Sequence, residues 1–177
     1  MKYEQLEHAI RAACDVAEDT ELYIFGSQAI LGNYPDAPES LRSSIEVDVQ
    51  PKNKPDMTDF VDGALGQESP FHQTHGFYVH GISIDAVTLP EGWKKRTIPV
   101  SHSYRTRGCT GHCIEVNDLA ASKLVAFRPK DREFVTVLLS ERLIDHAILV
   151  ERISQLPISQ NDRDSLTKWV ETTIEEV

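Results

Sequence analysis

The chain has 177 residues, 40% hydrophobic and 26% charged, which supplies one domain with a real core and leaves too little length for two comfortable ones. Its formal net charge of −10 excludes a broad basic surface and with it general DNA binding, because sequence-independent affinity comes from Lys and Arg neutralising phosphates. The same acidity suits a divalent-cation site or a protein partner.

Along residues 1–17, Leu6, Ala9, Ile10, Ala13 and Cys14 recur at helical spacing, predicting an amphipathic helix. The segment lacks the apolar run of a signal peptide, and no later stretch reaches the roughly 20 apolar residues of a membrane span, so a cytoplasmic protein without a membrane partner is expected. Cys14, Cys109 and Cys113 are an odd number of cysteines without an export signal and are expected as free thiols.

Leu22-Tyr23-Ile24-Phe25 is a short β-prone run broken by Gly26-Ser27, and residues 28–31 are expected to form one or two helical turns. Pro35 and Pro38 make 33–40 a loop. Ile45-Glu46-Val47-Asp48-Val49 alternates apolar and acidic residues, the pattern of a half-buried strand. A short helix is expected over 58–65, and a strand region over 78–87 with Ile82, Ile84 and Ala86 on one face and Ser83, Asp85 and Val87 on the other. Weaker strands are expected at 98–100 and 113–116. Asn117 or Asp118 then caps a helix through Lys123 and Leu124, Pro129 interrupts it, and helices follow over 130–153 and 161–175. The expected class is α/β (α+β): a small mixed sheet flanked by helices with further C-terminal helices. One domain spans 1–177, with an α/β core over 1–116 and a helical part over 117–177.

The acidic strand carries the chemistry. Glu46 and Asp48 emerge on the same face about 6.6 Å apart along the backbone, a spacing at which two carboxylates converge on one hard cation. Asp85 on a neighbouring strand is the expected third metal ligand, allowing two ions to clamp the attacking and leaving oxygens. Taken alone, Glu46 and Asp48 also fit an acidic solvent face. Gly26-Ser27 narrows the choice, because a strand ending in Gly-Ser before a helix lets backbone N–H groups and a hydroxyl approach phosphate.

With these elements the chain resembles the nucleotidyltransferase-like superfamily, whose members carry a Gly-Ser turn, an Asp-x-Asp strand and a later acidic residue. The closer resemblance is to uncharacterised bacterial nucleotidyltransferase-like proteins akin to the AbiEii-type toxins of toxin–antitoxin pairs. It is carried by FGSQAILGNYPDAPESLRSSIEVDV, SPFHQTHGFYVHGI, LPEGWKKR and DLAASKLVAFRPKDREFV. Glu46 stands where the superfamily has Asp, which lengthens the ligand arm by one methylene. The toxin-like relatives have an Arg before the acidic strand and a Lys in a later helix, and the matching positions here are Arg42 and Lys123, expected at the triphosphate. Lys123, Arg128, Lys130 and Asp131 surround Pro129, and they fit either triphosphate binding or a solvated helix surface with internal ion pairs. In the first case Asp131 orients a cation or acts as a base.

The resemblance implies Mg²⁺ or Mn²⁺, an NTP substrate, an RNA-end or protein acceptor, and an antitoxin-like protein partner. The alternative is a non-catalytic module on the same fold that binds a nucleotide or a partner. A zinc site built from His72, His75 and His80 with Cys109, His112 and Cys113 is not favoured, since nothing in the spacing joins the two segments. Ser27 lacks a nucleophile elbow, and Gly26 is not followed by the Gly-Lys-Ser/Thr of a Walker loop.

Overall fold

Period-two burial builds the sheet. The computed structural model describes residues 1–177 and contains five strands: β1 (Glu21–Phe25), β2 (Glu46–Pro51), β3 (Tyr78–Gly81), β4 (Ile98–Ser101) and β5 (Thr110–Cys113). Their order is β3-β2-β1-β5-β4, with β1/β2 and β4/β5 antiparallel and β2/β3 and β1/β5 parallel. This is the mixed sheet that the sequence predicts.

The chain divides into two units, residues 1–86 with 97–114 and residues 87–96 with 115–177. In the first, Leu22, Ile24, Val47, Val49, Val79 and Cys113 form one face of the sheet and are fully buried. Helices α1 (Tyr3–Ala17), α2 (Ile30–Asn33) and α3 (Thr58–Leu65) supply the matching apolar surface through Leu6, Ile10, Ile30, Leu31 and Val61. Each such buried aliphatic side chain contributes about 1.5–3 kcal/mol. Gly111 has no room for a side chain, since a Cβ there would lie 2.5 Å from Ile24 and 2.7 Å from Ile10. The opposite face carries the half-buried Tyr23, Glu46, Asp48, Gln50, Tyr78, His80 and His112. A further helix not expected from the sequence, α4 (Pro70–His75), is capped by Ser69, whose hydroxyl accepts from the His72 N–H at 3.1 Å.

The second unit is helical, with α5 (Val116–Ala126), α6 (Pro129–Ser140), α7 (His146–Ser154) and α8 (Gln160–Glu176). Its buried residues include Leu119, Leu124, Val135, Leu138, Leu149, Ile153 and Val170. Asp118, with no exposed surface, receives Arg96 Nε and Nη2 at 2.8 and 2.9 Å and pairs with Arg152 at 3.3 Å. This ties the 87–96 segment to α5 and α7.

Several boundaries differ from expectation. The predicted 130–153 helix is two helices, because Arg142 adopts φ 55° and a Schellman turn closes α6, with Leu143 N–H on Leu138 O and Arg142 N–H on Leu139 O. The expected 113–116 strand lies earlier, and Glu115 rather than Asn117 or Asp118 caps α5 by accepting from both of their N–H groups. The strand expected over 78–87 ends at Gly81, and Asp85 sits exposed in a 3-10 turn, Ile84–Ala86. Ile82 N–H still bonds Val49 O at 3.1 Å, the Gln50 side chain then takes the Ile84 N–H at 2.7 Å, and Asp62 accepts from Gly81 N–H at 3.1 Å.

Candidate metal centre

Strand register assembles the centre. Asp48 lies opposite Phe25 on β1 and beside His80 on β3, while Glu46 lies beside Tyr78. All four polar side chains therefore share one face. Glu46, Asp48 and His80 each offer a donor atom within 4.8 Å of the others. His80 Nδ1 is 2.9 Å from Asp48 Oδ1 and 3.7 Å from Glu46 Oε1. Tyr78 donates its hydroxyl to Glu46 Oε2 at 2.5 Å, which fixes the longer Glu arm and leaves Oε1 toward His80. Two carboxylates and one imidazole are a donor set that fits a divalent cation.

Gly26 makes room for this arrangement. Its φ is +65°, and a Cβ there would lie 2.0 Å from Asp48 Oδ2, so a side chain would collide with the carboxylate itself. Ser27 opens a 3-10 turn, Ser27–Ala29, that runs into the four-residue α2. So short an element gives little macrodipole, and phosphate affinity at this turn would come from N–H groups and the Ser27 hydroxyl. Gln28 ties the turn to the acidic strand by donating to Ser44 O at 3.0 Å.

Electrostatics follow from crowding. Burial pushes the Asp48 carboxyl up to about 6, and the neighbouring Glu46 charge adds to the shift against the opposing bond from His80. The hydrogen bond to Glu46 pushes the Tyr78 hydroxyl up to about 12. Asp48 thus carries an electrostatic cost at this position.

The other expected site residues fall elsewhere. Asp85, expected as the third ligand, is exposed in its turn, and the three side chains that converge are Glu46, Asp48 and His80. Arg42 donates to Ala37 O at 2.5 Å and to Met1 O at 3.4 Å, anchoring the proline-bearing loop to the N-terminus. Phosphate binding by Arg42 would require giving up these bonds.

In the second unit, Asp131 has no exposed surface and is held by Arg128 Nε at 2.6 Å and Lys123 Nζ at 3.4 Å. Burial alone would raise the Asp131 carboxyl, but these two cations bring it below its ordinary value. It is the counter-ion of both cations. Burial lowers the Lys123 ammonium, which also lies over the Phe134 ring at 4.5 Å. Arg128 keeps much of its guanidinium at the surface, with its side chain 59% exposed.

His80 was missed as a partner of Glu46 and Asp48. A usable signal existed: in Tyr78-Val79-His80 the alternation puts Tyr78 and His80 on one face, and Asp85 has the opposite parity. The cysteines Cys14, Cys109 and Cys113 are free and buried, and none joins a metal cluster. No helix is long and apolar enough to cross a membrane. No curated protein and no solved structure matches the chain. A family model does match, over residues 2–174, and on that match the chain belongs to the family described as "Nucleotidyltransferase of unknown function (DUF6036)".

Proposed function

We propose that this protein is a metal-dependent nucleotidyltransferase that moves an NMP from an NTP to a hydroxyl on an RNA end or a protein. The observation that carries the reading is the convergence of Glu46 and Asp48, with Asp48 set directly against Gly26. Glu46 and Asp48 would hold Mg²⁺ or Mn²⁺, which when bound neutralises charge developing on the transferring phosphoryl group. The turn's N–H groups and the Ser27 hydroxyl would orient the phosphates. The acceptor oxygen forms its bond to the α-phosphorus as the bond to the β-phosphate bridging oxygen breaks, pyrophosphate leaves, and the hydroxyl proton passes to solvent. Tyr78 keeps the Glu46 carboxylate aimed, so that positioning supplies much of the catalysis.

Phosphate binding by Lys123 and Arg128 is a separate clause of the proposal, resting on their charge and on the toxin-like resemblance. That resemblance also supports a cytoplasmic role in a toxin–antitoxin pair with an antitoxin-like partner. Asp48→Asn tests the core of the reading: transfer of labelled nucleotide is expected to vanish while the circular dichroism spectrum is unchanged. Retained turnover in that folded variant rules the mechanism out. A second reading, a non-catalytic nucleotide- or partner-binding module, is favoured by one observation, that no third carboxylate joins Glu46 and Asp48. Nucleotide binding without transfer to any acceptor is its signature.

A further inference from the structure

We infer that His80 is the third metal ligand and that it tunes the centre toward a first-row transition-metal dication, with Mn²⁺ as the probe, in preference to Mg²⁺. The inference deepens the metal-dependent reading above and rests on it.

The geometry is specific to these three side chains. Neighbouring ligands on one octahedral ion with bonds near 2.1 Å sit about 3 Å apart. Asp48 Oδ1 and His80 Nδ1 are 2.9 Å apart. Glu46 Oε1, 3.7 Å from the same nitrogen, closes the set on an arm that is one methylene longer than Asp and braced by Tyr78. All three residues stand on paired strands, where the β2/β3 register of Asp48 with His80 and Glu46 with Tyr78 fixes their spacing. Asp85, the only other acid proposed for this role, is exposed in its turn with its N–H on Ser83 Oγ.

Ligand chemistry then sets the choice of ion. Mg²⁺ dehydrates reluctantly and takes oxygen donors, whereas imidazole nitrogen raises affinity along the series from Mn²⁺ toward Zn²⁺. Exchanging a carboxylate for an imidazole also removes one negative charge from the site, which costs the harder ion more. A hydrogen bond between His80 and Asp48 without metal ligation is the competing account, and it predicts no nitrogen at the ion.

The test uses the full metal-free chain, titrated with Mn²⁺ by electron paramagnetic resonance and competed with Mg²⁺. Bound Mn²⁺ is expected to show nitrogen modulation in the pulsed spectrum, and to outcompete Mg²⁺ by about tenfold or more. His80→Asp is expected to keep metal binding, lose the modulation and narrow the preference. Mn²⁺ bound without a nitrogen signal overturns the inference and leaves the metal-dependent reading standing, as does an unchanged preference in folded His80→Asp. If neither ion binds the wild-type chain, the metal-dependent reading itself falls. The modulation is read on the wild-type protein, so the inference stays testable even if the variant fails to fold.

Discussion

Asp48 shows how a single residue trades stability for chemistry. Its carboxyl, at about 6 in the folded chain against 3.8 ordinarily, binds a proton more tightly folded than unfolded. Between those values the folded state holds more protons, so stability rises as pH falls through the window and the full cost is present above about 6. Removing the charge should therefore help the metal-free fold. Asp48→Asn is expected to unfold above wild type at pH 7.5, by on the order of 1–3 kcal/mol. The gap should shrink toward pH 4. Thermal melts across pH decide this, and equal stability at pH 7.5 would show that Asp48 carries no such strain. Gly26 belongs to the same argument, since only a residue without Cβ lets that carboxylate sit against the turn.

At the scale of elements, the α5–α6 junction turns on one buried carboxylate. Phe127 ends α5 in the left-handed conformation at φ 52°, and Pro129 starts α6 with its φ already suited to a first turn. Asp131 then holds Lys123 from one helix and Arg128 from the break. Asp131→Ala removes the counter-ion of an ammonium whose side chain is only 11% exposed, and is expected to cost about 3–5 kcal/mol. Adding Lys123→Met should recover part of it, because both charges are then gone. Urea unfolding of the single and double variants measures this, and a loss under about 1 kcal/mol would refute the clamp. Elements governed by local pattern were legible in the sequence. The Glu46–Asp48 alternation, the Gly-Ser break and the first helix all follow from periodicity and turn chemistry. What was not legible depends on partners distant in sequence. Beyond β3 the Ile84 N–H goes to the side chain of Gln50, a residue 34 positions earlier, and Asp85 lies in the turn that follows. Arg142 closes α6 without the glycine that usually signals such a stop. The alternation of Tyr78 and His80 was legible, but the register that sets His80 beside Asp48 was not.

For the whole molecule, charge limits which acceptor can be met and how. The chain has 18 Lys and Arg against 28 Asp and Glu. Some of the cations are already engaged on buried carboxylates: Arg96 and Arg152 on Asp118, and Arg105 on Glu7. Tracking a nucleic-acid backbone requires a row of cations displacing condensed counter-ions, and each phosphate neutralised adds about 0.7–0.9 to the salt slope. With so few cations to spend, generic single-stranded RNA and duplex DNA are expected to bind more weakly than about 10⁻⁴ M at physiological salt, with a slope below about 2. Fluorescence anisotropy over a salt series checks both numbers. Micromolar binding with a steep slope would mean that the spent cations rearrange to form a basic track. If weak, flat binding is found, any RNA acceptor has to be engaged at its end, through the nucleotide that enters the centre. A protein hydroxyl, which brings no phosphate backbone against the −10 surface, then becomes the acceptor with the lower electrostatic barrier.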